Sequence, residues 1–562
     1  MGIPSYFSHI VRKYRTIFKK YDKTTHPIDN LYLDCNSIIY EAVNDLQKEN
    51  KIPSTSPHFE PALINAVCKK LSYYIHLISP KNRVYVAFDG VAPVAKLDQQ
   101  RKRRYMTWYN NKMITDIRNE NIRNEHSSKP SSSNTTSTST TCTWNTSAIT
   151  PGTPFMELLG KEIKQQFIGN ENIEVICSCS DEVGEGEHKI YEYIRTNAEY
   201  HQNTTTVIYG LDADLIMLTL NHLHISDKMY LFRETPNFIQ QVDKTLDPNE
   251  LYLMDIPTFA FSMIAELTDS TTKNDNSDPH PSLKSNKIFD YIFMCFMLGN
   301  DFMPHFPALN IRTNGIEKLI CAYKHVFKGS DQTLISNDAK GNQYILWKNL
   351  RKFIDYLSQN ELDYLKEEYK RRDKQEKNMS YYNNSTDATK EKKAEEDLLM
   401  IPLKERSIEK YINPYESGWQ ERYYTALFNI RINDDRRKEI CLNYLEGLEW
   451  TMKYYSSGCI DWRWTYKYDY PPLLCDLIKY VPYFDTCLLD VKPKLPVKSL
   501  VQLVYVLPRS SHALLPNKVL PLLKQEWYKE DCDFRWSFCK FFWESHVCLP
   551  EINITEIEKI IK

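Results

Sequence analysis

The chain has 562 residues, 42% apolar and 26% charged, with 71 Lys and Arg against 73 Asp and Glu and a formal charge of -2. This supplies cores for two large domains or about three or four smaller ones. It excludes collagen-like, disulfide-miniprotein and wholly disordered chains, and a uniformly basic nucleic-acid coat, though not a local basic patch.

The 14 Cys follow no disulfide framework. No signal peptide opens the chain, and no apolar run approaches the roughly 18 residues needed to span a bilayer. The expectation is a soluble monomer with reduced thiols and no membrane contact, cytoplasmic by default, with the nucleus open.

In chain order, NLYLD (30–34) reads as a strand ending in Asp34, and Tyr40 follows six residues later. RVYVAFD (83–89) reads as a second strand, ending in Asp89. The next segment, GVAPVAKLDQQRKRRYMTWYNN, reads as a helix. Lys96, Gln100, Arg103 and Arg104 share one of its faces, because their spacing matches successive helical turns. Three cations and an amide on one stripe suit a phosphate, since guanidinium forks give charge-assisted bonds to phosphate oxygens. Arg101 and Lys102 are expected to point elsewhere, to solvent or a nucleic-acid backbone.

Residues 126–148 are Ser/Thr-rich and read as an insert without structure of its own. IEVICS (173–178) is a third strand, after which Glu185 and Glu187 open a helix whose buried face includes Ile190 and Ile194. TVIYGLD (206–212) is a fourth strand ending in Asp212, with Asp214 two residues on, and KMYLFRE (228–234) is a fifth. Residues 268–286 read as another insert, and Asp301 closes a strongly apolar helical run.

Strands alternating with helices predict an α/β fold, a mostly parallel sheet covered on both faces. This nuclease-type region is placed at 1–345. Residues 346–400 read as a helix and charged linker, with the first half of 366–397 an exposed helix and the second half mobile, and 401–562 as a largely helical second region packing on the first. Within it, GCIDWRWTYKYDYPP carries alternating aromatics. Trp462 and Trp464, like Tyr40, are candidates for stacking on bases, and core packing is the competing reading. Cys532, Cys539, His546 and Cys548 match no familiar zinc spacing.

In open α/β sheets, ligands bind outside the carboxyl ends of the strands. Asp34, Asp89 and Asp212 therefore converge on one crevice, joined by Glu185, Glu187, Asp214 and Asp301. Each alone reads as a surface acid or helix cap. Together, beside apolar neighbours and with few basic residues nearby in sequence, they need a counter-charge, because buried unpaired carboxylates are costly. All-oxygen donors suit Mg²⁺, with Mn²⁺ as a substitute. The number of acids suits two ions about 3.5–4 Å apart, as in phosphodiester hydrolysis.

The motifs MGIPSYF, LYLDCNSIIY, AFDGVAPVAKLDQQRKRR, TPGTPFM, GEGEHKI, YGLDADLIML and GNDFMPH, in this order, resemble those of Xrn-type 5′→3′ exoribonucleases. YLEGLEWTMKYYSSGCIDWRWTYKYDYPP and VKSLVQLVYVLPRSSHALLP continue the likeness. The resemblance implies a PIN/flap-nuclease-like fold. It also implies Mg²⁺-dependent, processive 5′→3′ degradation of single-stranded RNA bearing a 5′-monophosphate, releasing nucleoside 5′-monophosphates in RNA decay. It makes the seven acids metal ligands, Lys96, Gln100, Arg103 and Arg104 the pocket for the 5′-phosphate, and Tyr40 with Trp462 or Trp464 the base-stacking pair. The expected chain is a short form, without the long C-terminal modules of some members. Alternatives are a structure-specific DNA flap nuclease and a non-catalytic RNA-binding scaffold. Protein partners are not implied.

Overall fold

The computed structural model describes residues 3, 5–24, 26–49, 51–127, 144–169, 173–233, 246–247, 250–268, 283–382, 390–428, 433–489 and 495–561. The side chains of 121–127, 380–382 and 390–392 are not described. Among the described residues no helix is long and apolar enough to cross a membrane.

A seven-stranded sheet is built from β1 (Phe18–Lys20), β2 (Asn30–Asp34), β3 (Arg83–Ala87), β4 (Glu174–Ser178), β5 (Thr206–Tyr209), β6 (Met229–Phe232) and β7 (Tyr252–Asp255). Their order is β1-β7-β6-β5-β2-β3-β4. The five strands read from sequence run parallel, with β2 central between β3 and β5. β1 and β7 form an antiparallel edge that the sequence reading missed. Two of the three residues of β1 are Lys, which suits a sheet edge but masks the strand signal.

Strand side chains alternate between two apolar layers. Leu31, Leu33, Val84, Val86 and Val207 face α2 (Asn36–Glu49), α3 (Phe59–Ile78) and, beyond α4 (Val94–Ser127), α5 (Pro154–Phe167). Tyr32, Tyr85 and Ile208 face the opposite layer, with α1 (Tyr6–Lys13), α6 (Gly186–Thr196), α7 (Asp214–His222), α8 (Ile256–Thr268) and α9 (Asn286–Phe296). Period-2 alternation and burial on both faces are what made these strands legible.

The opposite layer is continuous with the second region. α10 (Trp347–Tyr382) contributes Trp347, Leu350 and Phe353, and, beyond α11 (Lys390–Leu399), α12 (Asp434–Ser456) contributes Tyr444, Leu448 and Tyr454 to the same core. The exposed helix expected in the first half of 366–397 is part of α10 and is packed on one side, with Glu368, Tyr369 and Arg372 buried. Arg372 on α10 is buried because Glu409 takes two of its guanidinium bonds, at 2.7 and 2.9 Å. Residues 390–399, expected as linker, are helical, and Arg118 of α4 pairs with Glu395 at 2.7 Å. Of the two inserts, 128–143 and 269–282 lie outside the described residues. Trp144, expected within the first, instead packs against Phe59 and Phe155.

Candidate active site

Parallel strand ends bring distant acids together. Asp34 is the last residue of β2 and pairs in register with Ala87, so Asp89 lies just beyond it on the neighbouring strand end. Asp212 follows β5, and Asp214 opens α7. Glu185 caps α6 and Glu187 lies in its first turn. Gly186 between them has a steric reason: a Cβ there would stand 2.6 Å from Asp34 Oδ1. Its amide donates to Asp89 Oδ1 at 2.7 Å. Asn36 Nδ2 donates to the other oxygen of Asp89 at 2.5 Å, and Asn36 Oδ1 accepts from the Asp89 amide at 3.1 Å.

Glu185, Glu187 and Asp214 are buried, Asp34, Asp89 and Asp301 are half-buried, and Asp212 is exposed at the mouth. Burial first, and then the charges of Asp89, Asp212 and Glu185, push Asp34 well above the carboxylate range. Burial and then Asp214 do the same to Glu187. Asp214 is pushed up to about 7 by burial and then by Asp301. Asp89 is raised by burial and Glu185, opposed by the Gly186 amide.

The sequence offered few nearby counter-ions, but the fold supplies one from a distant segment. Lys96 pairs with Glu185 at 2.5 Å and with Asp301 at 2.7 Å. Burial works against the charge of both Lys96 and Asp301. Their attraction prevails, raising the pKa of the lysine and depressing that of the acid. Tyr454 of α12 donates to Glu185 Oε2 at 2.7 Å, and its ring stacks on His188 at 3.7 Å between centroids.

Asp34 Oδ1, Glu187 Oε2 and Asp214 Oδ1 are buried with no hydrogen-bond partner. Hard all-oxygen donors left in this state fit a divalent cation. Among the described residues no three acidic, His or Cys groups already stand close enough to enclose one ion. Lys96 occupies the counter-charge position for two of the seven.

The basic face of α4 divides. Lys96 turns into the acids. Gln100 is buried with its carbonyl oxygen unpartnered, and Arg103 is exposed. Arg104 has a buried Nη1 without a partner. Burial pushes its pKa down to about 10, with Tyr40 opposing and Arg103 adding to the fall. The two guanidinium groups are left for an anion, whereas the unpartnered oxygen of Gln100 is an acceptor and would face a donor. Arg101 and Lys102, expected to face solvent or nucleic acid, instead hold α4 in place. Arg101 donates to the Trp527 carbonyl at 3.1 Å, and Lys102 pairs with Asp98 and Asp469, each at 3.0 Å.

Tyr40 is 40% exposed and lies beside Arg104. Trp462 is half-buried, and its carbonyl accepts from the first amide of α4 at 3.0 Å. Trp464 is buried, stacked on Trp450 at 5.1 Å. The base-stacking expectation for Trp464 is corrected on this ground: its ring is spent in the core, which leaves Trp462. Asn36 and Tyr454 were not singled out from sequence. Asn36 lay within a quoted motif, whereas Tyr454 is 269 residues from the acid it touches and gave no local signal.

Comparison with known proteins adds a family. Residues 1–235 match the model described as the XRN 5′-3′ exonuclease N-terminus, and residues 284–413 and 390–559 match the Xrn1 helical domain. The chain is 27% identical to the 5′-3′ exoribonuclease 2 homolog of Drosophila melanogaster, covering 100% of this chain and 71% of that protein. It is 26% identical to 5′-3′ exoribonuclease 2 of Gallus gallus, covering 98% and 69%. It is 27% identical to 5′-3′ exoribonuclease 1 of Schizosaccharomyces pombe, covering 99% and 48%.

Proposed function

The chain belongs to the XRN 5′-3′ exonuclease family, and from that premise we propose that it is a processive 5′→3′ exoribonuclease acting on single-stranded RNA with a 5′-monophosphate. The observation that carries this reading is the meeting, through Lys96, of a carboxylate cluster at parallel strand ends with a basic helix face.

Gln100, Arg103 and Arg104 grip the terminal phosphate, Lys96 bridges from this pocket to the acids, and Tyr40 and Trp462 flank the first bases. Because Arg104 is part-buried and carries no carboxylate, a compact phosphate gains its charge at little rearrangement. A triphosphate or cap is disfavoured by size. Asn36 and Gly186 fix Asp89, and Tyr454 fixes Glu185, so the acids meet the scissile phosphate pre-oriented. Two divalent cations, Mg²⁺ or Mn²⁺, held by Asp34, Asp89, Glu185, Glu187, Asp212, Asp214 and Asp301, would supply the charge that eases ionisation of water and balances the leaving oxygen. Water adds to phosphorus and the P–O3′ bond breaks. The departing 3′ oxygen gains a proton, which yields a nucleoside 5′-monophosphate and a new 5′-phosphorylated end.

The test is a time course on 3′-end-labelled RNA with monophosphate, hydroxyl or triphosphate 5′ termini, with and without Mg²⁺, and with a DNA flap in parallel. Rapid loss of the monophosphate RNA alone, only with the cation, is expected. Equal use of all termini, preference for the flap, or no cleavage overturns the reading.

A further inference from the structure

The cleft extends past the carboxylates. On the β6 side of Asp212 a small pocket, open to solvent, is lined by Phe7, Phe18, Gly210, Asp212, Arg233 and Tyr252, among others. Arg233 is the first residue after β6. Its guanidinium carbon lies 3.9 Å from the centre of the Phe7 ring. Its Nε is buried with no hydrogen-bond partner. Other part-buried arginines, such as Arg83, Arg312 and Arg463, each have a carboxylate within ion-pair distance. Arg233 forms no such pair among the described residues, a condition it shares with Arg104. A part-buried guanidinium without a direct ion pair stays charged at a cost, which Asp212 eases from beyond contact distance and an arriving anion would ease further.

The two arginines stand at opposite ends of the row of acids. Arg104 belongs to the helix after β3, and Arg233 follows β6. Between them lie the ends of β2 and β5, which carry Asp34 and Asp212. Three strand spacings separate the ends of β3 and β6 by roughly 14 Å, and Arg104 lies farther off, ten residues into α4. An RNA held by its 5′-phosphate at α4, with its first internucleotide linkage at the acids, has its 3′ portion directed across β5 toward β6. Phe7, Phe18 and Tyr252 line that end with apolar surface suited to ribose or base.

We propose that Arg233, backed by Phe7, binds an internucleotide phosphate of the RNA strand on the 3′ side of the scissile bond. This rests on the exoribonuclease reading above. It assigns the chain a second phosphate contact, distinct from the pocket on α4, that grips the uncut strand while the terminal nucleotide leaves.

Cleavage of 5′-monophosphorylated RNA, a dinucleotide against an octamer, tests it. Arg233→Gln is expected to raise KM about tenfold for the octamer, as a lost charge-assisted contact does. It should also flatten the log–log salt dependence by about 0.7. The dinucleotide has no phosphate that reaches Arg233 and should be unaffected, and Arg233→Lys should recover most of the octamer affinity. With the wild-type protein, single methylphosphonate linkages should weaken binding at one position 3′ of the scissile bond, a penalty absent in Arg233→Gln. Equal losses on both RNAs, or no methylphosphonate sensitivity beyond the scissile bond, overturn the assignment and leave the exonuclease reading standing. Failure of the wild type to cleave either RNA overturns that reading instead.

Discussion

At Asp34 the carboxylate faces Asp89, Asp212 and Glu185 from a half-buried position, and its Oδ1 has no donor. Such a group is tolerated only where it is protonated or where positive charge arrives. The sign of the resulting pH dependence follows from linkage. Asp34, Glu187 and Asp214 have folded pKa values above those of the unfolded chain, about 3.9–4.3. A raised acid stabilises the fold fully below its unfolded pKa and loses that contribution as pH rises through the folded value. In EDTA the melting temperature should therefore decline from about pH 4 to about pH 7, the value reached by Asp214. Mg²⁺ should offset this decline, because a cation favours the ionised acids. Asp301, held down by Lys96, contributes the other way, but only as pH falls below the ordinary carboxylate range. A melting temperature flat across the window, measured by calorimetry, would count against mutual repulsion among these groups. Asp212→Ala should abolish cleavage while RNA still binds, checked by gel assay and fluorescence anisotropy. Arg104→Ala should cut the kcat/KM for monophosphate ends at least tenfold, by loss of a charged hydrogen bond. Its effect on hydroxyl ends should be smaller, and equal losses would remove Arg104 from the phosphate pocket.

Among the elements, α12 and α4 determine how the acids are held. α12 delivers the Tyr454 hydroxyl to Glu185 and stacks the ring between His188 and Trp450. Tyr454→Phe keeps this stacking and deletes one donor. Loss of such a supporting bond usually costs about 10–100-fold in metal affinity or activity. The expected outcome is a higher Mg²⁺ requirement with KM for RNA unchanged, read from cleavage rates across a Mg²⁺ titration and from Mn²⁺ binding by electron paramagnetic resonance. An unaltered titration would reduce Tyr454 to a packing residue. α4 presents Gln100, Arg103 and Arg104 to the cleft, and its other cations secure it. Arg101 also lies 5.4 Å from the ring of Tyr505, on the helix Ser499–Val506. The RKRR run thus divides between the anchoring Arg101 and Lys102 and the proposed phosphate contacts Arg103 and Arg104. A helix wheel alone did not show that Arg101 and Lys102 anchor the helix or that Lys96 turns into the acids.

For the molecule as a whole, one apolar layer runs from Ile3 to Leu489 and includes both the sheet and the second region. The PIN-like sheet and the helical region are joined by this shared core. A polar counterpart lies farther out, where buried Glu409 receives Arg372 and Arg406 and accepts the Phe538 amide at 2.8 Å. This ties α10, the helix Ser407–Ile412 and the C-terminal segment together. Arg406 keeps Asp373 and Glu376 as further partners, whereas among the described residues Arg372 makes no ion pair with a second carboxylate and leans on the carbonyls of Pro402 and Cys539. Glu409→Ala should therefore destabilise the fold by about 3–5 kcal/mol, the usual effect of stranding a buried charge. Urea denaturation followed by tryptophan fluorescence checks this, and a change below about 1 kcal/mol would show that the network is solvated or replaceable.

The five parallel strands, the helix bearing Lys96 to Arg104 and the positions of the seven acids were legible in the sequence. They follow from local properties: alternation, helical spacing, and the cost of placing a carboxylate beside apolar neighbours. The antiparallel edge was not legible, because β1 is short and two-thirds Lys, and β7 runs directly into a helix. Nor could spacing tell Trp462 from Trp464, since only packing against Trp450 removes one ring from the cleft. The pairing of Lys96 with Asp301 spans 205 residues, and that of Tyr454 with Glu185 spans 269. Residue order sets which groups are available and which face of an element they share. Which of them meet across such separations is decided only when both regions close on one core, because contact energies act over a few ångströms of space and carry no imprint along the chain.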